Sequence, residues 1–179
     1  MRKTIRERGF CLCLMLLFLL LPMGVFANQG NYEEILKLKH KIVEIQNKGE
    51  LGIRNFTLCS KIVNLGCYVP LTEPKIKQEE PILLYYEPAN IYTKTTGGRY
   101  EFWFTQDVII LDENEEILWE QENALSMHYN TETPILDMYV NNNFNLTGAP
   151  PGKYIFKVVL HDLFRDESVS KAVHFEIVE

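Results

Sequence analysis

From Leu51 to the C-terminus, apolar and polar residues alternate with a period of two, and turn-forming residues interrupt the alternation repeatedly. Successive side chains of a strand point to opposite faces, so this pattern predicts strands buried on one side only. Seven follow, near 53–60, 81–87, 99–111, 116–121, 135–144, 153–161 and 169–178. In the third, Tyr100, Phe102, Phe104, Val108 and Ile110 share one face, while Arg99, Glu101, Thr105 and Asp107 share the other. Tyr154, Phe156, Val158 and Leu160 repeat the scheme beside Lys153, Lys157 and His161, and Val169, Val173, Phe175 and Ile177 repeat it beside Ser168, Ser170, His174 and Glu176. Asp112-Glu113-Asn114-Glu115 and Asp162 to Glu167 are polar enough to close hairpins, and 70–81, with Pro74 and several charges, reads as a loop. Strands with little helix between them predict a mainly β domain, an antiparallel sandwich of about seven strands over 51–179.

Ahead of this domain the period changes. Tyr32, Ile35, Leu36, Ile42 and Val43 recur at helical spacings, with Leu38 and Ile45 widening the stripe. One amphipathic helix is predicted within 28–50, with Asn31 as N-cap, Glu33 and Glu34 at the positive end of the dipole, and Gly49 as the stop. Its apolar face is expected to pack on its own domain. The 3-4-3 spacing of Ile35, Leu38, Ile42 and Ile45 also fits a partner helix, although two heptads are short for a free coiled coil.

The first 27 residues have the form of a secretory signal: Arg2, Lys3, Arg6 and Arg8, an apolar run from Phe10 to Leu21, then Pro22, Gly24 and the small residues Val25 and Ala27. Cleavage between Ala27 and Asn28 is expected, delivering the chain outside the cytoplasm, to the periplasm or beyond. An uncleaved anchor is the competing reading, since Phe10 to Ala27 is 18 residues, near the shortest span that crosses a bilayer. A lipoprotein would need a Cys just after the apolar run, whereas Cys11 and Cys13 lie inside it. Without the leader the chain keeps 14 basic and 23 acidic residues, a net charge of −9. Such a balance argues against nucleic acid, whose phosphates need clustered Lys and Arg, and against insertion into or attraction to an anionic membrane. Cys59 and Cys67 survive cleavage, and in an oxidising compartment the pair is expected to form a disulfide. Two unpaired thiols or a metal site are the alternatives, the latter short of ligands.

Several segments together resemble exported bacterial proteins of unknown function. They are Ile53-Arg54-Asn55-Phe56-Thr57-Leu58-Cys59, Val63-Asn64-Leu65-Gly66-Cys67-Tyr68, Pro81-Ile82-Leu83-Leu84-Tyr85-Tyr86-Glu87, and Pro150-Pro151-Gly152-Lys153-Tyr154 with His161-Asp162. The resemblance covers 51–179 and implies an immunoglobulin-like or fibronectin-III-like sandwich behind a helical segment and an exported location, and it points to no particular activity. In such sandwiches a Pro-Gly-x-Tyr element leads into the penultimate strand, where the Tyr can anchor a corner. Cys67 stands at what looks like a variable position of the pattern.

No motif for catalysis is present: no Gly-x-Ser-x-Gly elbow, no phosphate-binding Gly-rich loop and no His-Glu-x-x-His. His40, His128, His161 and His174 are scattered, and the expectation is no enzyme, no cofactor and no metal. Asp112, Asn114 and Glu116 have the spacing of half a calcium loop without its central Gly or distal Glu, so a polar turn is expected. Asn55-Phe56-Thr57 and Asn145-Leu146-Thr147 have the form of glycosylation sequons, without meaning in most bacterial hosts. Trp103 is the residue that departs from the pattern, because it falls on the polar face between Glu101 and Thr105. An outward aromatic beside polar groups is common on binding surfaces, so Trp103, Glu101 and Thr105 are the candidate partner-binding residues, with Trp119, Tyr85 and Tyr92 as possible extensions. The expected function is a non-catalytic binding or assembly module for a protein or glycan. A structural accessory domain of a cell-envelope complex, contacting through the helix, is the alternative, and a hydrolase without a recognisable motif comes third.

Overall fold

The computed structural model describes residues 24–179, with side chains from Gly30 onward. The expected leader lies mostly outside the described residues, and so do the side chains of Ala27 and Asn28. The described chain is mainly β, with one helix, α1 (Gly24–Gln46), followed by ten strands. These are β1 (Gly52–Asn64), β2 (Cys67–Pro70), β3 (Lys75–Lys77), β4 (Ile82–Ala89), β5 (Lys94–Thr96), β6 (Arg99–Asp112), β7 (Ile117–Thr131), β8 (Val140–Phe144), β9 (Gly152–Asp162) and β10 (Glu167–Val178). A boundary between two units of the chain falls inside α1, after Leu38, and Lys39–Glu179 is one compact unit.

Two sheets form. One has the order β2-β1-β4-β8, and the other runs β3-β10-β9-β6-β5, with β7 also paired to β6. Every ladder is antiparallel except β10 with β3. Ile53, Leu58, Ile82, Leu84, Tyr86 and Val140 from the first sheet and Phe102, Phe104, Val108, Ile110, Phe156, Val158, Leu160 and Phe175 from the second join one apolar core cluster. The alternating residues of β6, β9 and β10 thus bury the faces that the sequence marks as apolar. Phe104, Phe156, Val158 and Leu160 are fully buried. Burying each such side chain contributes about 1.5–3 kcal/mol, which is why the alternation governs the register.

One polar group crosses this core. The Gln106 side chain on β6 accepts a hydrogen bond from the Tyr86 hydroxyl on β4 at 2.7 Å and donates to Asn142 Oδ1 on β8 at 2.8 Å. Asn142 returns a bond to Gln106 Oε1 at 3.2 Å. The network ties one sheet to the other, and the depth of Tyr86 raises its phenol pKa.

Both expected hairpins form. Asp112 Oδ1 accepts from the Asn114 and Glu116 amides, both at 2.8 Å, so this carboxylate closes the β6–β7 turn. Those bonds hold its pKa below the usual carboxylate range. In the β9–β10 turn, buried Asp162 accepts from the amides of Phe164 and Arg165 at 3.0 and 3.2 Å and from Tyr92 at 2.6 Å. The expected corner at Tyr154 is present as a hydrogen bond from its hydroxyl to Pro150 O at 2.7 Å.

The structure departs from the sequence reading in several places. β7 runs on to Thr131, ten residues past the expected strand 116–121, and β8 begins only at Val140, although a strand is expected from 135. β2, β3 and β5 are additional strands of three or four residues at sheet edges, and β3 lies inside the expected loop. A stretch so short carries too few alternations to be read as a strand. α1 runs through Asn31, so that residue is not an N-cap. The helix ends at Gln46, shortly before the expected stop at Gly49, where the close approach of the Asn90 side chain leaves no room for a Cβ. Arg165 donates to Gly49 O at 2.7 Å and Asn90 O at 2.8 Å there. Finally, the apolar stripe of α1 is largely uncovered: Ile35, Leu38, Ile42 and Ile45 are exposed, and Val43 is the stripe residue that is buried.

Candidate functional site

The outward residues of the six-stranded sheet form a continuous strip. In the ladder Trp103 stands opposite His128, and Thr105 stands opposite Ser126 on one side and His161 on the other. His161 in turn stands opposite Ser168 of β10. Because Phe102, Phe104 and Leu160 point into the core, their sequence neighbours point out together.

At one end of the strip is Trp103, 37% exposed. Its indole stacks on the His128 imidazole with centroids 4.8 Å apart, and its Nε1 donates to Ser126 Oγ at 3.3 Å. Glu101 Oε1 lies 2.7 Å from His128 Nε2, so a carboxylate orients the ring beneath the indole. Phe164 meets His128 edge-on at 6.4 Å, and Lys94 Nζ sits 3.5 Å from the Phe164 centroid. Trp103 and Glu101 therefore come together through His128, whereas Thr105 is buried. The expected extensions do not join them. Trp119 packs against Phe144 on the core side, Tyr92 lies beneath Arg165, and Tyr85 belongs to the other sheet.

Beyond Thr105, His161 bridges two strands. Its Nε2 is 2.6 Å from Asp107 Oδ2 on β6, and its Nδ1 is 2.7 Å from Ser168 Oγ on β10. Asp107 Oδ1 also accepts from the Asn123 amide at 2.8 Å, which fixes the carboxylate. The three side chains border a cleft of about 270 Å³ together with Thr105, Glu122 and Asn123. A hydroxyl, an imidazole and a carboxylate in this order are the parts of a nucleophile, its base and the group that orients the base. Sequence reasoning leaves them as separate surface residues, since 54 positions separate His161 from Asp107 and only the ladder joins them. The one available signal is that all three fall on polar faces of adjacent strands.

The four-stranded sheet carries an aromatic cluster of a different kind. Tyr85 is stacked between Tyr68 at 4.0 Å and Tyr139 at 5.6 Å. Its hydroxyl donates to Glu87 Oε1 at 2.6 Å and accepts from the Gly66 amide at 2.8 Å. Burial, reinforced by the carboxylate, pushes the phenol pKa up to about 12, and the phenol's hydrogen bond holds the Glu87 carboxyl below its usual range.

The expected disulfide is not formed: both thiols are free, Cys59 buried and Cys67 exposed. The ladder gives the reason. β1 continues to Asn64, which stands opposite Cys67, while Cys59 stands opposite Pro70. Five residues of strand between Asn64 and Cys59 span roughly 16 Å, far beyond the roughly 7 Å limit on the Cα separation of a bridged pair. Among the described residues no cluster of three or more His, Cys, Asp or Glu side chains is arranged to hold a metal ion.

No family model matches the chain, and no curated protein does. Solved structures similar to it include the alkylpurine DNA glycosylase AlkC of Pseudomonas fluorescens bound to DNA containing an abasic site analog, at 11% identity and a TM-score of 0.43 over 82% of this chain and 36% of that one. A family 123 glycoside hydrolase from Clostridium perfringens follows at 11% identity and 0.39, over 73% of this chain and 28% of that one. The soluble domain of PmoD from a Methylocystis species has 15% identity and a TM-score of 0.30, over 72% and 90%. The chain thus spans about a third of the length of the two enzymes. The expectation that it is not an enzyme is withdrawn here: it rests on missing sequence motifs, which exclude nothing, and it stands against two similar structures that are enzymes. At such scores neither lends its substrate or mechanism to this chain.

Proposed function

We propose that this chain is an exported binding module with an immunoglobulin-like sandwich, which recognises an uncharged glycan on the outer face of its six-stranded sheet. The observation that carries the reading is the exposed indole of Trp103 seated on His128. It combines a flat apolar surface with hydrogen-bonding groups at its margin, Glu101 and Ser126, the combination a sugar ring needs from a site. The acidic balance of the chain disfavours an anionic polymer. The Tyr154 corner supports the sandwich class, and the pattern of the first 27 residues supports export, as does the resemblance to exported bacterial proteins.

Affinity gel electrophoresis against a panel of neutral polysaccharides tests the proposal. The purified protein should be retarded by at least one, and Trp103→Ala should migrate freely with its melting temperature near that of the parent. Equal retardation of both proteins, or retention by none of the panel, would remove the assignment.

A second reading, an accessory domain of an envelope complex, draws on the exposed Ile35, Leu38, Ile42 and Ile45 of α1. Leu38→Glu with Ile45→Glu should then abolish self-association in sedimentation while leaving the β domain folded. A protein that is monomeric before the change speaks against assembly of like chains.

A further inference from the structure

We infer that Ser168, His161 and Asp107 form a nucleophilic site that hydrolyses a small uncharged or cationic carboxylic ester. The geometry supplies each part. Ser168 is exposed at the start of β10, where a substrate can reach its hydroxyl. The imidazole has only one free acceptor when the other nitrogen carries its proton. With the Nε2 proton donated to Asp107 Oδ2 at 2.6 Å, the acceptor is Nδ1, 2.7 Å from Ser168 Oγ. Asp107 is itself held by the Asn123 amide at 2.8 Å, and its side chain is 17% exposed, so the ring cannot turn without breaking a half-buried charge-assisted bond. The ring uses its two nitrogens in the opposite sense to the serine-protease triad, and the proton transfers are equivalent.

The reaction balances with water alone. Ser168 Oγ bonds to the carbonyl carbon as its proton passes to Nδ1. The tetrahedral adduct then collapses, the bond to the alcohol oxygen breaks, and the alcohol leaves with that proton. Water attacks the acyl-serine in the same way, releasing the carboxylic acid and restoring the hydroxyl. The cleft's charge selects the substrate. Glu122, Asp162, Asp166 and Glu167 line it beside Asp107, and among the described residues no Lys or Arg does. An anionic ester would be repelled, whereas the uncharged groups of Thr105 and Asn123 suit a neutral one.

The site lies on the same strip as Trp103 and does not depend on a glycan binding there. The experiment is fluorophosphonate labelling of the whole purified chain, in which Oγ displaces fluoride from phosphorus, followed by intact mass and peptide mapping. One adduct is expected, on Ser168, and Ser170→Ala should label at the parent rate. His161→Gln should label about 100-fold more slowly and Asp107→Asn about tenfold more slowly, with melting temperatures showing that each is folded. Hydrolysis of p-nitrophenyl acetate should fall in the same order. An unlabelled Ser168, or a His161→Gln protein that labels as fast as the parent, overturns the inference whatever the outcome at Trp103.

Discussion

The two sheets each place aromatic rings on the face turned away from the shared core, and they treat them in opposite ways. On the four-stranded sheet Tyr85 points away from Leu84 and Tyr86, yet it is completely buried, because Tyr68 and Tyr139 close over it and Glu87 satisfies its hydroxyl. On the six-stranded sheet Trp103 has one stacking partner, His128, and stays more than a third exposed. An outward aromatic is therefore no measure of a binding surface by itself. What separates the two is whether neighbouring loops and strands bring enough further rings to cover it.

The largest test of this contrast is truncation. Tyr85→Ala removes a buried ring and strands Glu87, so it should cost about 3–5 kcal/mol in urea unfolding, whereas Trp103→Ala should cost less than about 1 kcal/mol. Comparable losses would mean that the two faces are not energetically distinct. The next test is pH. Glu87 has a lowered pKa in the folded state, so its contribution is complete above the ordinary carboxylate range and is lost as pH falls through the lowered value. Tyr85 is raised to about 12, so its contribution is complete below the ordinary phenol value of about 10 and disappears as pH rises toward 12. Glu87→Gln should lower stability near neutral pH by about 1 kcal/mol and flatten the acid arm, read from chemical unfolding at several pH values. A parent protein whose acid arm is already flat would contradict this. The smallest effect concerns the thiols. Cys67 should take up an alkylating reagent rapidly in the folded protein, while Cys59, on the covered sheet and with its pKa raised by burial, should react only on unfolding.

How far these features are legible in the sequence follows from how local they are. The alternation in β6, β9 and β10 announces strands and their buried faces, since burial is decided residue by residue along one strand. It also sets Trp103 outward. The fate of Tyr85 depends on Tyr68 and Tyr139, which reach it from β2 and from the segment before β8, so its cover is invisible without the pairing. The disulfide expectation fails for a related reason: spacing counts residues, but the β1–β2 register decides which side chains meet. Ser168, His161 and Asp107 are a harder case, because three strands must align before the hydroxyl, ring and carboxylate become one unit.

The bridge between Gln106, Tyr86 and Asn142 gives that unit a hidden dependency. Sliding one sheet along the other would maroon an amide and a phenol in hydrocarbon, at roughly several kcal/mol. Since Gln106 is thereby pinned inward, its successor Asp107 is obliged to face outward at a constant height, opposite Val159 and diagonally within reach of His161. A substitution at the centre of the molecule, such as Gln106→Leu, would consequently be felt first as slackness in a surface cleft on the other face of the sheet, carried there through its chain neighbours Thr105 and Asp107.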